Sequence, residues 1–158
     1  ELSARLGRRL AAQGGAALLI DYGPLASGLG DTLQSVRRHL AVDPLAEPGR
    51  ADLTAHVDFA ALAAAARSGG ALAFGPVPQG SFLHRLGLAA RAATLLKRAS
   101  ARQASDLASA TRRLIDAGEM GTLFKALALV APGQAAPPGF EHDAALAPLA
   151  HDPGFRAC

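Results

Sequence analysis

The chain reads as an α/β fold, and three observations carry that prediction. A helix-spaced segment, a glycine pair and a short apolar run follow one another over residues 2–20. Two further apolar stretches, 71–74 and 123–130, have strand character and are separated by helix-spaced leucines. Polar residues collect just past the apolar runs, where ligands gather in open α/β sheets.

The elements follow in order. Leu2, Leu6 and Leu10 stand at i, i+4 spacing, so residues 2–12 make an amphipathic helix. Gly14 and Gly15 end it, because glycine tolerates the left-handed backbone of a helix C-terminus. Ala16 to Ile20 is a continuous apolar run between turn signals, which suits a strand buried on both faces. Asp21-Tyr22-Gly23-Pro24 closes it and lies where a site is expected. Residues 24–52 are rich in Gly, Pro and Asp, too long for a plain connection, and read as a functional loop with a short helix around 31–40.

Asp58 is placed to cap a helix from Phe59 to Arg67, which Gly69-Gly70 ends. Ala71 to Phe74 reads as a strand followed by a Gly-Pro-Val-Pro-Gln-Gly turn. Ser81 reads as the N-cap of a helix carrying Phe82, Leu83 and Leu86, with helical periodicity continuing through Leu95 and Leu96. Another helix spans about 102–116. Leu123 to Val130 is the last strand. From Gln134 the chain is rich in Pro, Gly and Ala and reads as a poorly packed tail, dividing the chain into 1–133 and 134–158.

Composition bounds the function. Half of the 158 residues are hydrophobic and 18% are charged, a globular balance. At 4% aromatic, the core must come from Ala, Leu and Val. All but two of the 16 basic residues are arginine, the exceptions being Lys97 and Lys125. The pI lies near 9.8, but the net charge is only +3 and the bases are dispersed among acids. Nucleic-acid binding calls for a denser basic face with aromatics to stack on, so it is not predicted. One cysteine, Cys158, rules out an internal disulfide and a cysteine metal site.

The basic RLGRRL before AAQGGAALLI imitates a signal peptide, but Gln13, two glycines and Asp21 interrupt it. No run approaches the roughly 18 apolar residues of a membrane span. Glu1 is not an initiator methionine, so the chain is expected to begin inside a longer product.

Standard site motifs do not occur. Gly28-Leu29-Gly30 lacks the third glycine and the helix start of a phosphate-binding turn. No G-x-S-x-G elbow is found. His39, His56 and Asp58 match no compact metal-ligand spacing, so no metal is expected. Asp52, Thr54, His56 and Asp58 alternate with apolar residues, as in a half-buried edge strand or an extended loop lining a cleft. Gln79-Gly80 and Met120-Gly121 sit at turns, and Lys125 lies within the last strand, where a solvated lysine is the plain reading.

Five segments occur together in one order. They are GGAALLIDYG at 14–23, ADLTAHVDF at 51–59, GPVPQGSFLHRLGL at 75–88, EMGTLFKALALV at 119–130 and PPGF at 137–140. In this combination the chain resembles the C-terminal half of the MidA-like methyltransferase family, over about residues 1–140. The mitochondrial members of that family are assembly factors for respiratory complex I.

The resemblance implies the C-terminal part of a Rossmann-like class I methyltransferase fold with inserted helices. Residues 16–20 would be a parallel strand late in the sheet, and 71–75 and 123–130 its last strands, the final one antiparallel. S-adenosylmethionine is the implied methyl donor. Its gripping residues, a glycine-rich loop and an acidic residue for the ribose, are expected upstream of Glu1, so this segment alone is expected to be inactive. Where the family often has Thr before Gln, this chain has Pro78 before Gln79, so no hydroxyl contact is assigned there.

Protein arginine is the implied acceptor, in its mitochondrial branch on a complex I subunit. A protonated guanidinium is a poor nucleophile, and carboxylates that orient it and accept a proton help. Asp21, Asp52 and Asp58 are the catalytic candidates. Tyr22, His56 and Gln79 are the candidates for aligning the substrate. The alternative is a non-catalytic protein-binding or assembly module. An exposed sheet edge would also favour self-association, so a homodimer is a further expectation. The expected location is the cytoplasm of a bacterium, or the mitochondrial matrix in a eukaryote.

Overall fold

The computed structural model describes residues 1–141. The elements run α1 (Leu2–Gln13), β1 (Ala16–Tyr22), β2 (Gln34–Arg37), β3 (Leu40–Ala41), β4 (Asp52–Thr54), α2 (Phe59–Ser68), β5 (Leu72–Pro78), α3 (Gln79–Arg85), α4 (Leu88–Leu96), α5 (Ala101–Ile115), α6 (Met120–Leu123) and β6 (Phe124–Val130). The α/β class predicted from the sequence is the one observed.

Strand β6 is the centre of the main sheet, with β1 on one edge and β5 on the other. It is antiparallel to both, so β1 and β5 run in the same direction. The antiparallel last strand implied by the family resemblance is therefore present. With both edges paired and both faces covered, Lys125 to Val130 are buried throughout. Side chains alternate between the faces of a strand. Leu127 and Leu129 join Leu10, Phe59, Ala63 and Ala66, contributed by α1 and α2. Ala126 and Ala128 join Val77, Phe82 and Phe140 on the opposite face.

Small residues let α1 and α2 approach backbone to backbone. A Cβ added at Gly7 would lie 2.3 Å from the Ala66 carbonyl oxygen, and one at Gly69 would lie 2.4 Å from that of Ala4. The Ser3 hydroxyl donates to the Leu62 carbonyl at 2.7 Å across the same contact. Leu10 is buried as its spacing predicts, but Leu2, at the first turn, is 80% exposed. Asp58 caps α2 as expected, its Oδ1 accepting from the Ala61 N–H at 2.9 Å.

Several expectations differ from the structure. The run after Gly15 extends to Tyr22 and is not buried on both faces: Ala17 and Leu19 pack on the core, while Leu18 and Ile20 are exposed. Among the described residues β1 has a strand on one edge only. The helix expected around 31–40 is instead a hairpin of β2 and β3, which with β4 makes a second sheet. Arg38 and His39 take left-handed conformations at its tip, as two-residue hairpin turns require.

The turn expected after Phe74 is also absent, because β5 continues to Pro78. A register shift between Phe74 and Val77 accommodates Gly75 and Pro76, and proline has no N–H to offer the ladder. Ser81 does not cap α3: the helix starts at Gln79, directly after Pro78, and Ser81 lies within it. Within the tail expected from Gln134, Gln134 and Ala135 are exposed, but Gly139 and Phe140 are buried. Phe140 is 1% exposed and stacks on Phe82 with ring centroids 5.1 Å apart. Residues 142–158 of that expected tail, with Cys158, lie outside the described residues.

Two glycine-bearing turns singled out in the sequence meet at the end of α5. The Gln79 side chain is buried and its Nε2 donates to the Leu114 carbonyl at 2.9 Å. Cβ atoms at Gly80 and Gly121 would fall 2.6 and 2.1 Å from the Ile115 carbonyl oxygen. The Gly121 N–H donates to the Asp116 carbonyl, and the Thr122 hydroxyl to that of Ala117. One joint therefore fixes α3, α5 and α6 against each other.

Two stability measurements test this packing. Helix propensity alone would make Gly7→Ala stabilising by roughly 0.8–1 kcal/mol. The collision with Ala66 should reverse the sign, to a net loss of about 1–2 kcal/mol in urea unfolding. Gly28→Ala is the control, because a Cβ there meets nothing within 4 Å; a gain in Gly7→Ala would contradict the close approach. Gln79→Ala should cost about 1–2 kcal/mol by leaving the half-buried Leu114 carbonyl without its donor. An unchanged unfolding midpoint would show that the joint does not depend on this amide.

Candidate functional site

The carboxyl ends of β1 and β5 and the start of β6 share one edge of the main sheet. In the register, Asp21 pairs with Lys125, and Lys125 with Pro78. Residues directly opposite in an antiparallel pair project from the same face. Asp21 and Lys125 thus share one face, and Tyr22 and Phe124 share the other. The Asp21 carboxylate is exposed, with Oδ1 accepting from the Tyr22 N–H at 2.8 Å.

Tyr22 anchors an aromatic cluster. Its ring meets Phe124 edge-on at 5.6 Å and His56 edge-on at 5.7 Å between centroids. His56 comes from the segment between β4 and α2, which lies flat against the end of β1. The Val57 N–H donates to the Tyr22 carbonyl at 3.0 Å. Gly23 is obligatory at this crossing, since a Cβ there would sit 2.1 Å from the Val57 carbonyl oxygen. One residue further on, Asp58 Oδ1 also accepts from the Ser27 hydroxyl at 2.8 Å, tethering the loop after β1.

The site candidates thus divide. Asp21, Tyr22, His56 and Asp58 come together on a ledge at the end of β1. Asp52 lies in β4 of the second sheet, exposed and opposite Val36. Gln79 starts beside the ledge, but its side chain turns into the α3–α5 joint. Asp58 is engaged by both the helix cap and Ser27, so its first task is to hold the ledge together.

The solvated reading of Lys125 is corrected. The residue is 3% exposed, and its Nζ donates to the carbonyls of Thr122 and Leu123. A lysine in the otherwise apolar FKALALV is the signal that could have found it. Ser27, a plain loop serine in sequence, carries no comparable signal.

The ledge has a definite chemical character. Asp21 presents an accessible carboxylate that can accept N–H groups, while the Tyr22 ring, able to attract a cation, lies on the opposite face of β1. An adenosyl cradle is a different construction, a glycine-rich turn that opens a helix at a strand end. Gly28-Leu29-Gly30 leads toward β2 and not into a helix, and a Cβ at either glycine would meet no atom within 4 Å. The described residues do not by themselves fit that group. None of their His, Cys, Asp and Glu side chains form a cluster of three or more able to hold a metal ion. No helix among them is long and apolar enough to cross a membrane.

Comparison with known proteins bears on the family and the fold. Residues 1–77 match a family described as "Putative S-adenosyl-L-methionine-dependent methyltransferase". The protein arginine methyltransferase NDUFAF7 homolog of Drosophila melanogaster is 41% identical over 125 residues, covering 78% of this chain and 28% of that protein. Human NDUFAF7, a mitochondrial protein arginine methyltransferase, is 38% identical over 128 residues, covering 79% and 28%. The chain thus spans little more than a quarter of the length of these relatives.

A crystal structure from Burkholderia thailandensis superposes with a TM-score of 0.76 at 32% identity, covering 89% of this chain and 40% of that one. A second one from the same organism, bound to S-adenosyl-homocysteine, gives 0.73 at 32% identity, covering 89% and 38%. In motif order, sheet topology and these likenesses, the chain belongs to the MidA-like family of S-adenosylmethionine-dependent methyltransferases.

Proposed function

We propose that this chain forms the acceptor side of a protein arginine methyltransferase, with S-adenosylmethionine as the methyl donor. The observation that carries this reading is the exposed Asp21 carboxylate at the end of β1, whose Oδ1 accepts from the Tyr22 N–H. The named activity of the relatives supports the choice of arginine. Asp21 accepts hydrogen bonds from the guanidinium and takes up the proton that the attacking nitrogen loses. Tyr22 and His56, edge-on to each other, shape the end of β1 on its opposite face. Asp58 holds the ledge in place through Ser27 and the α2 cap. A respiratory complex I subunit is the leading acceptor, with the bacterial cytoplasm, or the mitochondrial matrix of a eukaryote, as the setting.

A second reading, a non-catalytic binding module, draws on the outer face of β1. Leu18 and Ile20 are 52% and 45% exposed there, next to an edge with no partner strand among the described residues. Such an edge can pair with another protein or with a second copy. A homodimer formed through it predicts a sedimentation mass that rises with concentration. A constant monomer mass would remove the homodimer.

The first reading is tested in a version of the protein extended at its N-terminus. Calorimetry should show S-adenosylmethionine binding to the extended version and none to residues 1–158. Asp21→Asn in the extended version should leave that binding unchanged while lowering kcat for an arginine peptide by about 100-fold or more. Failure of the extended version to bind the donor would sink the methyltransferase reading. Full turnover by Asp21→Asn would remove Asp21 from the chemistry.

A further inference from the structure

We propose that Lys125 is a positioning residue for the ledge: its buried ammonium fixes the Asp21–Gly23 turn from beneath. The inference deepens the reading of this ledge as the acceptor side of a methyltransferase, and its functional part rests on that reading.

The geometry links the cation to the turn through one oxygen. The last carbonyls of a helix have no partner within the helix. At the end of α6 those of Thr122 and Leu123 accept from Lys125 Nζ. The Leu123 carbonyl also accepts the Gly23 N–H, at 3.4 Å. Gly23 in turn has no room to move toward Val57, whose N–H holds the Tyr22 carbonyl. Tyr22 is therefore fixed by Val57 on one side and, through Leu123, by the ammonium on the other. Phe124, adjacent to Lys125 in β6, adds the ring contact to Tyr22.

Charge adds a second link. Lys125 is the cross-strand partner of Asp21 on the same face of the sheet. The Lys125 ammonium itself turns to the Thr122 and Leu123 carbonyls, so its charge bears on Asp21 as a neighbouring field and not as a contact. The buried site is otherwise an unfavourable place for an ammonium. Apolar residues fill all the other positions of β6, so the lysine there is held by the carbonyls it meets. The ammonium thus satisfies the carbonyls at the end of α6 and, through that of Leu123, ties them to the Asp21–Gly23 turn.

The chain carries its own probe. Tyr22 is its single tyrosine and it has no tryptophan, so the near-ultraviolet tyrosine band reports on this turn alone. Lys125→Met should keep the far-ultraviolet spectrum and a cooperative urea transition, yet lose about half or more of the tyrosine band, the mark of loosened side-chain packing. Lys125→Arg, which keeps the cation, should restore the band. In the extended protein, Lys125→Met should lower kcat for an arginine peptide by about 10–100-fold, the scale of a small misplacement, with donor affinity unchanged.

A folded Lys125→Met with the wild-type band and wild-type kcat would overturn the proposal. If Lys125→Met does not fold, Lys125→Arg decides: a folded arginine variant without the band overturns it, and one with the band supports it. A wild-type extended protein that methylates no arginine would sink the functional reading, while the tyrosine band would still test the positioning role.

Discussion

Strand β6 imposes the constraint on which the rest of the structure depends. A central strand must pair its backbone on both edges and cover both faces with apolar neighbours. FKALALV meets both demands at all but one position. β1 and β5 supply the edges, α1 and α2 one face, and α3 with the segment through Phe140 the other. Because β6 is antiparallel to both neighbours, its start meets their carboxyl ends. That places Phe124 and Lys125 among the loops that follow β1 and β5, so the structural centre and the candidate site share a strand.

The low aromatic content determines how closely these layers approach. With few large rings available, the backbones come together through Gly and Ala. Gly7 against Ala66, Gly23 against Val57, and Gly80 and Gly121 against Ile115 are all contacts that a single methyl group would disturb. Three of the few aromatic residues, Phe59, Phe82 and Phe140, fill the core on the two faces. Tyr22 and Phe124 stand instead at the sheet end, together with His56. Rigid crossings of this kind hold functional side chains more closely than loops do on their own. The segment from Ala55 to Asp58 takes its shape from contact with β1, not from any regular structure of its own.

Membership of the MidA-like family and the character of the ledge point the same way. The exposed Asp21 carboxylate can accept N–H groups, and relatives that match most of this chain are named as protein arginine methyltransferases. The match covers only 28% of those proteins, and the described residues make no adenosyl cradle. The role proposed for this chain is therefore recognition and deprotonation of the methyl acceptor. Gln79-Gly80 and Met120-Gly121, at the starts of α3 and α6, have a different task, since they build the joint that carries α5.

Periodicity and punctuation in the sequence determined α1, α2, α5, the Asp58 cap and the apolar strands, because these follow from local backbone preference and from burial on a regular face. The order of the five motifs determined the family, and the strand-end rule located Asp21 and Tyr22. Tertiary structure alone decided the remainder. The β2–β3 hairpin, in place of a helix, depends on two left-handed residues with no glycine to announce them. The length of β5 depends on β6 holding Val77 and Pro78 in register beyond an irregularity. Whether Asp52, Gln79 or Lys125 belongs to the ledge is a question of where side chains far apart in sequence meet. Composition and spacing describe a residue's own segment, whereas the burial of Lys125 and the turning of Gln79 toward Leu114 are set by partners contributed by other segments.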